Sequence, residues 1–355
     1  MNKTWMIYGC YGYTGRLLTD EALKRGCKPL LAGRNEEKVK KMAAKYDLEF
    51  RVFNSNDPET IRKNLAGISL LYNLAGPYRD NQDKFLNACL EVKSHYIDLA
   101  GETDISQNAY NYHNKALMAG ITIVTACGFN VIATECMAAY AASKVEEPRS
   151  VDVAMAAVTR PSSGTFRQTM AILPEGGRIL QNGEITEFKL GEGAKMIKFP
   201  HGEYKSFPVP MAELIAIKHS LDVPNAKVFL ALSGITARTF EYFSQTIIKF
   251  IKKTYGKKLI EILADTLVKG PGYDMNLHEK AYIWSKAVGK DGDAAEAYLI
   301  TREAYYFTVL ASLKAVEKII EMNKPGAYTP SQLFGADFPL EIEGSERLDI
   351  DPANC

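Results

Sequence analysis

The chain has 355 residues, 46% of them hydrophobic and 24% charged, with a formal net charge of +1 at pH 7. That length gives room for two domains, each with its own core. The near-zero charge gives no electrostatic ground for nucleic acid or a strongly charged membrane surface as partner, and no apolar run approaches the roughly twenty residues of a membrane-spanning helix.

The chain opens on an apolar run, Thr4-Trp5-Met6-Ile7-Tyr8, that ends in Gly9-Cys10-Tyr11-Gly12-Tyr13-Thr14-Gly15. A helical pattern follows at once, with Leu17, Leu18, Ala22 and Leu23 on one face. Strand, glycine turn and helix in this order, here spaced G-x-x-G-x-x-G, point to a dinucleotide site, the alternative being a plain tight turn. The glycines let the backbone approach a diphosphate, and the new helix offers its free N–H groups and positive dipole end. The second strand ends in Ala32-Gly33-Arg34-Asn35, with no acid before Glu36. An acid there would bind a ribose 2′-hydroxyl, whereas an arginine accommodates a 2′-phosphate. NADP is therefore expected ahead of NAD, unless Arg34 is a solvated helix-start residue neutralised by Glu36.

The alternation continues through a charged helix (36–46), a third strand (49–53) and the loop Asn54-Ser55-Asn56-Asp57-Pro58, which caps the next helix. The apolar run 68–74 reads as a parallel strand covered on both faces. It ends in Ala75-Gly76-Pro77-Tyr78 and leads into a helix over 81–92. A strand (95–98), Leu99-Ala100-Gly101-Glu102, a helix to Met118 and a strand (121–124) complete six strands in alternation with helices. This is the pattern of a doubly wound parallel sheet.

Beyond Gly128 the regularity ends. An alanine-rich helix is expected over 130–143, a strand over 151–159, a turn-rich stretch with short strands over 161–193, and a strand over 228–235. The helical segment 238–269 carries Phe240, Phe243, Ile247, Ile248, Ile251, Leu259, Ile262 and Leu263 with lysines between. Such a stripe is core or dimer interface, or else the apolar face of a helix lying on lipid. A hairpin (282–301) and a long helix (302–322) follow. The expected fold is α/β: an N-terminal Rossmann doubly wound parallel sheet (1–128), a second α+β domain for substrate and dimerisation (129–300), and a C-terminal helix and tail (301–355) returning to the first domain.

Taken together, several segments resemble the saccharopine dehydrogenase-like oxidoreductases, including the trans-acting enoyl reductase branch. They are Gly9–Gly15, Ala32-Gly33-Arg34, Asn73–Tyr78, Tyr96–Glu102, Gly128-Phe129-Asn130, Ser163-Gly164-Thr165, Pro325-Gly326, Thr329-Pro330-Ser331 and Phe334-Gly335. The resemblance implies an NADP-binding first domain, a second domain that often dimerises, and hydride transfer to or from a C=N or C=C bond of a small-molecule or lipid-like substrate. It also marks a departure: the family's Gly-Phe-Asp followed by proline and Asp is here Gly128-Phe129-Asn130-Val131-Ile132-Ala133-Thr134-Glu135. That change keeps a second class open, an NADP-binding regulatory or lipid-associated protein without turnover.

The cofactor-binding residues expected are Gly9, Tyr11, Gly12, Tyr13, Thr14, Gly15, Gly33, Arg34, Ser55, Leu74, Ala75, Gly76, Pro77 and Tyr78. Tyr78, Asp98 and Glu102 are the candidates for catalysis, because ligands bind at strand carboxyl ends and a partly buried carboxyl can serve as a general acid. The alternatives are structural: Tyr78 filling a core edge, Asp98 satisfied by backbone N–H groups, Glu102 capping a helix. Asn130, Thr165 and Arg167 are the substrate-side candidates. The five histidines have no metal-ligand spacing, so no metal is expected. Six cysteines without a C-x-x-C pair suit a reducing compartment. With Met1 leading straight into the first strand, a cytoplasmic homodimer is the expectation, with peripheral membrane contact left open.

Overall fold

The computed structural model describes residues 4–157, 162–172, 176–232, 234–251, 279–322 and 324–350. They cluster into two units. The first holds the described residues up to Ala100, Asp104–Gly128 and Thr308–Thr329; the second holds Gly101–Thr103, the described part of Phe129–Phe307, and the described residues from Pro330.

In the first unit, β1 (Trp5–Tyr8), α1 (Tyr13–Lys24), β2 (Leu30–Gly33), α2 (Glu36–Tyr46), β3 (Phe50–Val52) and α3 (Pro58–Leu65) form one half of the doubly wound sheet. The other half is β4 (Leu70–Asn73), α4 (Tyr78–Val92), β5 (His95–Asp98), α5 (Thr103–Asn111), α6 (His113–Ala119) and β6 (Thr122–Val124). Polar caps set the helix starts: Asn35 accepts from the Lys38 N–H, and Asp57 accepts from Glu59 and Thr60 with Pro58 in the first turn. All four residues of β1, β2 and β4 are buried, as strands covered on both faces require.

The helix expected from Glu102 to Met118 is two helices. Tyr112 interrupts them, turned by its N–H on Ala109 and held by its hydroxyl on Asp83 at 2.9 Å.

The second unit opens with α7 (Phe129–Ala142) and β7 (Ser150–Ala157). Then come α8 (Ser163–Ile172), β8 (Gly177–Gln181), β9 (Glu184–Phe188), β10 (Lys195–Phe199), β11 (Gly202–Pro208), α9 (Ala212–Ser220), β12 (Asn225–Leu232) and α10 (Gly234–Ile251). The hairpin β13 (Lys280–Val288) and β14 (Ala294–Arg302) leads into α11 (Ala304–Glu321). The chain closes with β15 (Gly326–Ala327), α12 (Pro330–Phe334) and β16 (Glu346–Ile350).

The first sheet has seven strands in the order β15-β6-β5-β4-β1-β2-β3, every pair parallel. The seventh comes from the chain's C-terminal part, and α11 is tied to the same unit by Tyr72, whose hydroxyl meets Ser312 Oγ at 2.6 Å and the Cys127 carbonyl at 3.0 Å. The second sheet has nine strands on the path β10-β11-β12-β7-β13-β14-β16, with β8 and β9 attached to β12. Among the described residues of this sheet, only β7 and β12 pair in parallel. One face carries Ala154, Ala156, Ile197, Phe199, Phe229 and Trp284. Alternation turns Val151, Val153 and Met155 to the other face, where α7 packs.

Residues 163–172, expected within a turn-rich stretch, form a helix, and residues 234–235, expected at a strand end, begin α10. The segment 238–269 is described only to Ile251. Leu259, Ile262, Leu263, His278 and Cys355 lie outside the described residues. Among the described residues five cysteines stand outside any disulfide, and no helix is long and apolar enough to cross a membrane.

Candidate functional site

The glycine loop joins β1 to α1 at the carboxyl end of the first sheet. Gly9 holds φ +89°, and a Cβ placed on it would meet Leu74 C and Ala75 N at 3.0 Å. Gly15 sits so close to the turn that a Cβ would come within 2.6 Å of the Gly9 and Cys10 carbonyl oxygens. Both positions therefore exclude a side chain, one by backbone conformation and one by close approach. Gly12 is the N-cap of α1, with no side-chain cap and no acid in the first turn. The Thr14 and Gly15 N–H groups have no earlier carbonyl of their own helix to reach, so the helix end faces an incoming anion with its dipole unopposed. Cys10 is buried beneath the loop, which pushes its thiol up to about 11 and keeps it inert.

At the neighbouring strand ends the Tyr11 ring lies on Gly33, where a Cβ would stand 2.6 Å from Cε1. Arg34 follows, exposed, and among the described residues it forms no ion pair. Glu36, the acid nearest to it in sequence, instead pairs with Lys40 at 2.7 Å. Tyr8 gathers this corner from below: burial raises its phenol above the usual tyrosine range, while a hydrogen bond with Ser55 and the charge of Arg34 pull it back. Tyr11, Gly33, Arg34 and Ser55 are thus brought together.

These residues fit NADP. The loop approaches a diphosphate closely, no carboxylate stands where a ribose 2′-hydroxyl would need one, and a guanidinium is left for a 2′-phosphate.

The end of β4 is shaped by a buried polar network that sequence reasoning missed. Asn73 Oδ1 accepts from the Ala75 N–H at 3.1 Å, and its Nδ2 donates to Asn81 Oδ1 at 3.0 Å and to the Tyr96 hydroxyl at 3.2 Å. Asn81 Nδ2 in turn donates to the Ala75 carbonyl at 2.6 Å. This fixes Leu74-Ala75-Gly76-Pro77, with a cis Gly76-Pro77 bond, beside Gly9. The signal was present in Asn73 at a strand end and the amide pair Asn81-Gln82 one turn into α4.

Of the catalytic candidates, Tyr78 is buried against Ala100 and Ile105 at the start of α4. Asp98 is fully buried and accepts five hydrogen bonds: from Gln82 Nε2 at 2.9 Å, the Tyr96 hydroxyl at 2.9 Å, the Ala100 N–H at 3.0 Å, Thr125 Oγ1 at 2.7 Å and the Ala126 N–H at 2.9 Å. Its lone pairs are taken up in tying β5 to β6 and α4. Glu102, in the second unit, accepts from the Gly101 N–H at 3.0 Å and from Gln168 Nε2 at 2.8 Å.

The substrate-side candidates also lie in the second unit. Thr165 shares hydrogen bonds with Ser162 Oγ at 3.0 Å and the Tyr305 hydroxyl at 2.7 Å, and Arg167 donates to Ser163 Oγ at 2.9 Å. The Asn130 carbonyl accepts from Thr134 Oγ1 at 2.5 Å inside α7. In the altered loop Glu135 is fully buried, and its carboxylate takes the Ser331 N–H at 2.8 Å and the Ser331 hydroxyl. It caps α12. Among the described residues no group of histidine, cysteine or acidic side chains is arranged to hold a metal.

Residues 5–124 match the family model of the saccharopine dehydrogenase NADP-binding domain. A saccharopine dehydrogenase-like oxidoreductase of Arabidopsis thaliana, named as mitochondrial, is 31% identical over 147 residues, which is 37% of this chain and 32% of that protein. The trans-acting enoyl reductase of Mycobacterium ulcerans is 27% identical over 138 residues, 37% of this chain and 33% of that protein. The matched stretch thus spans about a third of these relatives. Among solved structures, apo saccharopine dehydrogenase (L-Glu forming) from Saccharomyces cerevisiae matches with a TM-score of 0.66 at 12% identity, covering 99% of this chain and 100% of that one. Both sheets therefore belong to a known fold.

Proposed function

We propose that this chain, whose residues 5–124 match the family model of the saccharopine dehydrogenase NADP-binding domain, is an NADP-dependent oxidoreductase acting on a C=N or C=C bond of a small-molecule or lipid-like substrate. The observation that carries the reading is Arg34, which at the end of β2 forms no ion pair among the described residues while Glu36 is held by Lys40. NADP, when bound, supplies the hydride chemistry at its nicotinamide ring.

The protein's part is to bind and orient. Gly9, Gly12 and Gly15 admit the diphosphate to the end of α1, with the backbone of Tyr11, Tyr13 and Thr14 around it. Gly33, Arg34 and Ser55 receive the adenosine phosphate. Leu74, Ala75, Gly76 and Pro77, held by Asn73 and Asn81, lie along the nicotinamide ribose, with Tyr78 at its edge. We give Asp98 a positioning role, since five donors fix it; Tyr78 and Glu102 are the groups to test for proton transfer. In this reading the protein is a cytoplasmic homodimer, with Thr165, Arg167 and Asn130 on the substrate side.

Titration of the full chain with NADPH and NADH tests the cofactor. NADPH should bind at least about tenfold more tightly, and Arg34→Ala should remove that preference. Binding of neither nucleotide overturns the reading. Oxidation of NADPH, followed by its absorbance across a panel of imines and enoyl thioesters, tests the chemistry; Tyr78→Phe and Glu102→Gln variants that keep full turnover would remove both from it. One observation favours a second reading, an NADP-holding protein without turnover: Glu135 and Asp98 are both committed to structural hydrogen bonds. Tight NADPH binding with no oxidation across the panel would select it.

A further inference from the structure

Resting on the NADP reading, we propose that Lys38 is the second cation of the 2′-phosphate site and that Tyr11 is the residue that positions it. A 2′-phosphate carries close to two negative charges at neutral pH, and Arg34 supplies one positive charge. The usual backbone source of further attraction, a helix N-terminus, is closed at α2. The Asn35 side chain already accepts from the Lys38 N–H at 2.9 Å, and Glu36 and Glu37 occupy the first turn. The remaining charge must come from a side chain.

Lys38 is placed to provide it. It is exposed, and among the described residues its ammonium forms no ion pair. The Nζ lies 5.8 Å from the centroid of the Tyr11 ring. That ring rests on Gly33, the residue before Arg34, so closely that a Cβ there would stand 2.6 Å from it. The Tyr11 ring therefore links Gly33, the residue before Arg34, to Lys38, and the ring face biases a flexible lysine toward the strand end. Tyr11 and Arg34 also both act on the buried Tyr8 phenol, Tyr11 raising its pKa and Arg34 lowering it. Lys40, two residues on, is occupied with Glu36 and does not compete.

The test uses the full chain and four probes: NADPH and NADH, and the fragments 2′,5′-ADP and 5′-AMP, which isolate the 2′-phosphate. Dissociation constants come from nucleotide fluorescence for the first pair and calorimetry for the second. Lys38→Met should weaken NADPH and 2′,5′-ADP about fivefold while leaving NADH and 5′-AMP within about twofold. Tyr11→Leu should reproduce part of that loss, and Tyr11→Phe, which keeps the ring face, should not. The proposal falls if Lys38→Met weakens all four probes equally or none of them, while Arg34→Ala still removes the NADPH preference; the NADP reading would survive that result. Absence of binding by the unaltered protein to any probe would sink both together. Thermal melts of each variant separate a lost contact from a lost fold, because an exposed lysine should leave the melting temperature unchanged.

Discussion

Asp98 in the first unit and Glu213 in the second are both carboxylates with no exposed surface, and they are built in opposite ways. Asp98 accepts five hydrogen bonds, two of them from backbone N–H groups. Among the described residues Glu213, near the start of α9, finds no partner for either carboxylate oxygen outside its own backbone N–H. Burial pushes it up to about 7, opposed only by its own backbone N–H, with no charged side chain contributing. The difference follows from where each stands. A strand end meets the turns of its neighbours, whose N–H groups point outward for want of a ladder partner. Glu213 stands in the first turn of α9 and is followed by Leu214, Ile215, Ala216 and Ile217, all buried and all without a side-chain donor to offer. Burial alone therefore says little about a carboxylate. Its donors decide whether it is an anchor or a liability.

The largest effect should come from removing the anchor. Asp98→Ala would strand two backbone N–H groups and three side-chain donors, and it should cost about 4 kcal/mol in urea unfolding of the full chain. Asp98→Asn, which keeps an acceptor, should recover roughly half of that. A loss under about 1 kcal/mol for the alanine variant would show that these donors find other partners, and the contrast with Glu213 would collapse.

Glu213 should behave in the reverse sense and with pH. Its folded-state pKa of about 7 lies above the ordinary 4.5, so the folded protein holds this proton more tightly than the unfolded chain. The group is harmless below pH 4.5, becomes progressively destabilising between 4.5 and 7, and exerts its full effect above that. At 1.36 kcal/mol per pKa unit, the full effect is about 3 kcal/mol. Glu213→Gln removes the ionisation. Its stability relative to the unaltered protein should rise across that window and level off near pH 8. A difference that stays flat from pH 5 to pH 8 would mean that Glu213 has a partner in solution.

Much of the first unit was legible because its signals are local. The glycines, Pro58 in a first turn and the apolar strands each declare themselves within a few residues, and Arg34 after Gly33 named the cofactor. What Asp98 does was not legible, since its donors come from Gln82, Tyr96, Ala100, Thr125 and Ala126, brought together only by the sheet. In the second unit, Ser162-Ser163-Gly164-Thr165 falls in the stretch expected to be rich in turns. The same hydroxyl chemistry starts a helix here, because Ser162 Oγ accepts from the Thr165 N–H at 3.2 Å. The hairpin β10–β11 and helix α9 went unread. Gly202, at φ +146°, turns that hairpin, and an acid inside Met211-Ala212-Glu213-Leu214-Ile215 was the one hint of α9's buried carboxyl.

A third carboxylate, in water, completes the scale. Glu36 and Lys40 form an exposed pair four residues apart on α2, and the lysine's hydrogen bond lowers the Glu36 pKa. Exposed pairs of this kind contribute little to stability; on the proposed reading, this one keeps a negative charge off Arg34. Lys40→Met would release Glu36 and should weaken NADPH binding by no more than about twofold at low salt, an effect that screening erases at about 0.5 M NaCl. NADH binding should not change. A tenfold loss that persists in salt would mean that the freed carboxylate grips Arg34 directly rather than shading it, making Lys40 the residue that holds the phosphate site open.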